Sequence, residues 1–114
     1  MILFETAQII QDTAREIDMV GRYGGEEFIA ILPETDEEPA ANFAERVRKA
    51  VEEHVYRDGA TEIRMTVSCG VASLHEGVDG PEALLKAADE ALYQAKHGGR
   101  NQVVRASQTA PAAE

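Results

Sequence analysis

Apolar residues at Leu3, Ala7, Ile10, Ala14 and Ile17 recur at steps of four and three. That spacing lines them up along one side of a helix from Leu3 to Ile17. No capping residue precedes Leu3, so the helix reads as cut into rather than begun. Met19 to Tyr23 is expected to form a short strand, Gly24-Gly25 a tight turn and Glu26 to Leu32 a second strand, together a β-hairpin. Phe28, Ala30 and Leu32 alternate with Ile29 and Ile31, so both faces of the second strand are apolar. Such a strand is expected inside a sheet covered on both sides.

Pro33 ends that strand. Thr35, with Glu38 three residues on, has the form of a capping box, and Pro39 suits an early helical position. Ala40, Phe43, Ala44, Val47 and Val51 then carry a helical stripe to about Val55. Arg57 to Thr61, with Asp58-Gly59, predicts a turn. Ile63, Met65, Val67, Cys69 and Val71 alternate with Arg64, Thr66, Ser68, Gly70 and Ala72, the clearest strand pattern in the chain. Pro81 opens a helix whose stripe is Leu84, Leu85, Ala88, Leu92 and Ala95, and Gly98-Gly99 ends it. Gln102 to Val104 is a short final strand. Residues 1–105 are thus expected to form one domain and residues 106–114 a disordered tail. The order helix, strand, strand, helix, strand, helix, strand predicts an α/β (α+β) sandwich with helices on a mixed sheet.

Charge narrows the partners. Eleven Lys and Arg face 21 Asp and Glu, a formal net charge of −10 over 114 residues. So acidic a surface argues against nucleic acid and anionic lipid as partners but leaves room for a compact nucleotide pocket. A lone cysteine, Cys69, agrees with a reducing, cytoplasmic setting. No apolar run approaches the ~20 residues of a spanning helix, so no membrane insertion of this segment is expected.

The most informative stretch is Arg22-Tyr23-Gly24-Gly25-Glu26-Glu27-Phe28. Paired glycines at a hairpin turn let a ligand approach the backbone, and two carboxylates follow at once. Magnesium prefers one or two carboxylates completed by substrate phosphates. Taken alone, the stretch reads more readily as an ordinary turn with two solvated acids, since both dipeptides are common. Lys96 near a helix end and Arg100 past a Gly-Gly turn can focus a positive field on phosphates, or Lys96 can merely complement the helix terminus. Arg15 and Asp18, three apart, can face one ligand or form a surface ion pair. His54, His75 and His97 lack metal-ligand spacing and suit the surface, Cys69 suits the core, and Tyr93 is expected to pack.

Arg22 to Phe28 resembles the signature of GGDEF-domain diguanylate cyclases, in its Gly-Gly-Glu-Glu-Phe variant. Arg15-Glu16-Ile17-Asp18, with five residues between Asp18 and Gly24, is similar to that family's inhibitory-site pattern. Ala44 to Arg48, Thr66-Val67-Ser68-Cys69-Gly70, Ala88 to Lys96 and Gly99-Arg100-Asn101 continue the likeness in family order to about Val104. The resemblance implies a ferredoxin-like, nucleotidyl-cyclase palm fold. It implies condensation of two GTP into cyclic di-GMP, with Mg2+ or Mn2+ as cofactor and a two-fold homodimer placing one GTP on each protomer. Glu26 is then the metal-binding and catalytic acid, and Glu27 the second acid. Gly24 and Gly25 admit the substrate, and Lys96 and Arg100 hold its terminal phosphates. Arg15, Asp18 and Arg46 form the inhibitory cyclic di-GMP site, and an upstream sensory domain controls the parent protein.

The likeness is partial. The family's first, central strand and the helix after it, with further metal- and guanine-binding residues, have no counterpart before Gly24. The chain is therefore expected to be the C-terminal portion of the domain, inactive in isolation, with exposed strand edges favouring oligomers. A binding module for cyclic di-GMP and a purely structural, oligomerising fragment are the two alternatives.

Overall fold

A single amphipathic helix organises the molecule. Ala40, Phe43, Ala44, Val47 and Val51 are buried along Glu37–Glu53, as the three-and-four spacing requires. The computed structural model describes residues 2–75 and 78–108, with the side chains of Ile2 and Leu3 excepted. In order the elements are α1 (Ile2–Thr13), β1 (Met19–Gly24), β2 (Glu27–Ile31), α2 (Glu37–Glu53), β3 (Val55–Asp58), β4 (Thr61–Arg64), β5 (Cys69–Val71), α3 (Pro81–His97) and β6 (Val103–Arg105). The mixed helix and strand composition is as expected. The strands are divided among small sheets.

Among the described residues three separate two-stranded ladders form: β1 with β2 and β3 with β4, both antiparallel, and β5 with β6, parallel. The long strand anticipated from Ile63 to Val71 is divided, because its first residues pair back on β3 and its last residues pair with β6. Met65 to Ser68 lie between two ladders without joining either, although Met65 and Val67 still pack inward. Alternation fixed which side chains are buried, but a ladder also needs a neighbouring strand. The expected turn around Asp58-Gly59 is the tip of the β3–β4 hairpin, with Gly59 at φ +62.

Two apolar clusters meet on α2. Ile10 joins Phe43, Val47 and Val51, and the inner side of the β1–β2 hairpin, through Val20, Phe28 and Ala30, packs against them. Ala40 and Ala44 meet Val71, with Cys69 and Val103 beside them. Each fully buried aliphatic or aromatic side chain contributes about 1.5–3 kcal/mol. The hairpin's other side is not covered: Met19 is 65% and its cross-strand partner Ile31 is 52% exposed. The expectation of a strand buried on both faces therefore fails for Ile31.

Helix α1 stops at Thr13 rather than Ile17, and Ile17 is exposed. The Asp18 carboxylate accepts the Arg15 backbone N–H at 2.8 Å, and the Asp18 N–H donates to the Arg15 carbonyl at 3.0 Å. These local bonds offer the backbone an alternative to another helical turn. No capping box forms on α2. Asp36 is its N-cap residue, without a side-chain capping bond, and Thr35 instead donates to the Pro33 carbonyl.

Tyr56 is a large aromatic that the spacing left unassigned. It is fully buried, and its hydroxyl meets the buried Thr6 hydroxyl at 2.9 Å, joining β3 to α1. Chain order also extends past residue 105. Ala106–Gln108 form a 3-10 turn, and Glu37 accepts bonds from Arg105 Nε at 2.9 Å, from the Ser107 N–H at 3.1 Å and from the Ser107 hydroxyl. Burial pushes the Glu37 carboxyl up, but the bonds from Ser107 and Arg105 outweigh it and hold it below the usual range. The remaining tail residues and the Leu3 side chain lie outside the described residues.

Candidate nucleotide site

The hairpin turn is built one residue later than the glycine pair suggested. Gly24 is still a strand residue, paired with Glu27 after a register shift past Arg22. The two turn residues are therefore Gly25 and Glu26. Gly25 has φ +50, a conformation that L side chains rarely adopt, and no atom lies within 4 Å of where a Cβ would stand on Gly24 or Gly25. The backbone there is open to an incoming group. Arg22 Nε donates to the Gly25 carbonyl at 2.9 Å and closes the turn. Nothing in the spacing singled out Arg22 for that task. Glu26 sits exposed at the tip, and among the described residues its carboxylate has no hydrogen bond or ion pair.

The last turn of α3 faces this hairpin. Lys96 Nζ lies 3.5 Å from Glu27 Oε2, both partly exposed. Such a contact is worth at most about 1 kcal/mol in stability, and its significance is positional. Arg100 follows the Gly98-Gly99 turn, exposed, and its guanidinium has no partner among the described residues. Cation-bearing and acid-bearing segments far apart in sequence are therefore brought together.

Arg15, Asp18 and Arg46 line one cleft with Thr35, and Leu32, Pro39 and Phe43 contribute to its apolar lining. Arg15 grips Asp18, Nη2 to Oδ1 at 2.8 Å and Nε to both carboxylate oxygens at 3.2 Å. It also reaches the Pro33 carbonyl at 3.1 Å and the Thr35 hydroxyl at 2.7 Å. The Arg15 hydrogen bonds hold the Asp18 carboxyl below its ordinary range. Arg46 is exposed and has no partner among the described residues, so the cleft offers an unspent cation.

A divalent cation finds few donors. Among the described residues no group of three or more His, Cys, Asp or Glu side chains could hold one. Adjacent carboxylates at Glu26 and Glu27 suit a metal that takes most of its remaining ligands from phosphate oxygens and water.

Two expectations need correcting. Tyr93 does not pack in the core: it is 62% exposed and stacks on His97, ring centroids 3.9 Å apart. His54 is only partly exposed and meets Glu5 at 3.1 Å. Cys69 is partly buried, and burial pushes its thiol up to about 11, which makes it a poor nucleophile.

Comparison with known proteins decides the family. The family described as "Diguanylate cyclase, GGDEF domain" matches residues 1–102. The chain is a GGDEF domain sequence. It is 39% identical over 113 residues to Diguanylate cyclase A of Treponema denticola, covering 99% of this chain and 30% of that protein. It is 44% identical over 105 residues to Response regulator PleD of Caulobacter vibrioides, covering 90% of this chain and 23% of that protein. The chain therefore spans less than a third of the length of these curated relatives.

Among solved GGDEF structures, the domain of DgcB from Caulobacter crescentus in complex with c-di-GMP superposes with a TM-score of 0.85 at 33% identity. That match covers 94% of this chain and 64% of the other. The active GGEEF domain of a diguanylate cyclase from Vibrio cholerae gives 0.81 at 36%, covering 95% and 68%. The GGDEF fold, a palm-like arrangement of helices on strands, is thereby established for this chain. No helix among the described residues is long and apolar enough to cross a membrane.

Proposed function

We propose that this chain supplies the signature hairpin, the phosphate-binding cations and the product-binding cleft of a diguanylate cyclase, an enzyme that joins two GTP into cyclic di-GMP. The observation that carries this reading is the approach of Lys96 to Glu27 at 3.5 Å, which sets the end of α3 over the signature turn. Lys96 and Arg100 hold the terminal phosphates of GTP, and the open backbone at Gly24 and Gly25 lets the triphosphate come close. Glu26, with Glu27 as the second acid beside it, would hold Mg2+ or Mn2+ jointly with those phosphates, and Glu26 would also accept the proton of the attacking ribose hydroxyl. The metal, when bound, neutralises phosphate charge and eases ionisation of that hydroxyl.

Catalysis needs two nucleotides presented to each other by a two-fold pair of complete domains, within a larger cytoplasmic protein whose sensory part governs the pairing. With only two neighbouring carboxylates in the metal-binding set, this chain alone binds nucleotide without turning it over.

Cyclic di-GMP binding is the second reading, favoured by the convergence of Arg15, Asp18 and Arg46 on one cleft. Arginine forks suit the O6/N7 edge of guanine, and a carboxylate accepts from guanine N–H groups. Calorimetric titration with GTP–Mg2+ and, separately, with cyclic di-GMP tests both readings. Heat from the first that is lost in Lys96→Ala supports the phosphate site, and the absence of any heat refutes it.

A further inference from the structure

Arg100 and Asn101 are consecutive residues in the left-handed region, at φ 62 and φ 47. Asparagine tolerates that conformation and arginine does not favour it, and besides the Arg100 N–H bond to the Ala95 carbonyl at 3.0 Å the turn is held from outside. The holding groups come from two other parts of the fold. Arg48, on α2, donates from Nη1 to Asn101 Oδ1 at 2.9 Å. Asn101 Nδ2 donates to Glu52 Oε2 at 2.7 Å, and the Asn101 backbone N–H donates to Ser68 Oγ at 3.1 Å. Asn101 is thus fastened through its side chain and its backbone at once.

Arg48 itself has no charge to spare for a ligand. Its guanidinium is only 15% exposed and is matched by Glu45, at 2.9 and 2.6 Å, and by Glu52 at 3.4 Å. The neighbouring Arg100 guanidinium, by contrast, has no partner among the described residues. We infer that Arg48, Asn101 and Ser68 are positioning residues: they lock the turn after α3 so that Arg100 is presented to the phosphates. The inference rests on the proposed reading of Arg100 as a phosphate ligand. Fixing an exposed, flexible cation before substrate arrives lowers the ordering cost of binding.

The test is a double-mutant cycle read by calorimetry with GTP–Mg2+ as the probe, on folded protein of the full chain. Asn101→Gly is the informative variant, because glycine keeps the left-handed backbone while discarding the tether. Arg100→Ala is expected to weaken GTP binding about tenfold or more, as loss of a charged hydrogen bond does. Asn101→Gly should weaken it in the same direction, and the pair together should be no weaker than Arg100→Ala alone. Ser68→Ala provides a second route to the same result should Asn101→Gly fail to fold. If Arg100→Ala leaves GTP affinity unchanged, the phosphate-site reading itself falls. If Arg100→Ala weakens binding while Asn101→Gly or Ser68→Ala does not, or if their losses multiply, the positioning role is overturned and the site reading stands.

Discussion

Gly70 of β5 lies so close to α3 that a Cβ on it would fall 2.4 Å from the Leu92 backbone nitrogen and 2.3 Å from the Ala88 carbonyl oxygen. Backbone atoms cannot rotate away as a side chain does, so a larger residue would force β5 and the helix apart. Gly70→Ala is expected to destabilise the fold by roughly 3 kcal/mol, the upper part of the range for overpacked interiors. Thermal melting followed by circular dichroism should show a fall of more than about 10 °C. An unchanged midpoint would mean the two elements are not in contact.

Acid should weaken the joint between α1 and β1. Asp18 is depressed below its ordinary value by its bonds from Arg15, so its contribution is complete above about pH 5 and is lost as pH falls through the depressed value. Glu37, Glu45 and Glu52 are depressed too and act in the same sense. Urea unfolding at a series of pH values should give an Asp18→Asn variant that is less stable than the parent at pH 7. The gap between the two should narrow as pH falls below the ordinary carboxylate range.

Arg46 is the clean residue for probing cyclic di-GMP binding, since removing it strands no buried partner, whereas Arg15→Ala would leave Asp18 uncompensated. Arg46→Ala should weaken cyclic di-GMP binding about tenfold or more, with the melting temperature unchanged. Titration calorimetry beside a Lys49→Ala control decides the matter.

Radiolabelled GTP incubated with this chain at high concentration should give no cyclic di-GMP. Mg2+ alone should leave the melting temperature unaltered, whereas Mg2+ with GTP should raise it, because the carboxylates need phosphate oxygens to complete the coordination. Turnover in the assay would overturn the incomplete-site argument.

Tyr56→Phe removes only the hydroxyl that meets Thr6. The expected loss is about 1 kcal/mol, measurable as a lower denaturant midpoint at unchanged slope.

The sequence carried the buried faces better than the strand pairing. Ala40, Phe43, Ala44, Val47 and Val51 were legible because a helix satisfies its own backbone, so apolar spacing alone specifies it. Met65 to Ser68 misled for the opposite reason: a strand exists only with a neighbour, and alternation does not name one. Glycine pairs marked the signature turn, but the register shift that moves the bend to Gly25-Glu26 depends on cross-strand pairing. Arg15, Asp18 and Arg46 were placed together through family likeness, and the geometry does bring them to one cleft. Arg48 and Asn101 stood inside the family likeness but without a legible role, since an arginine on a helix flanked by glutamates looks like any solvated charge cluster.

Separate ladders on a shared helix have a consequence for how the molecule breathes. The signature hairpin is anchored through side chains on α2 and not through strand bonds to β5 or β6. It can therefore loosen as an independent unit while the parallel pair stays closed. Deuterium uptake should then rise early at Val20 to Ile31 and late at Gly70 and Val104, two populations within one small domain.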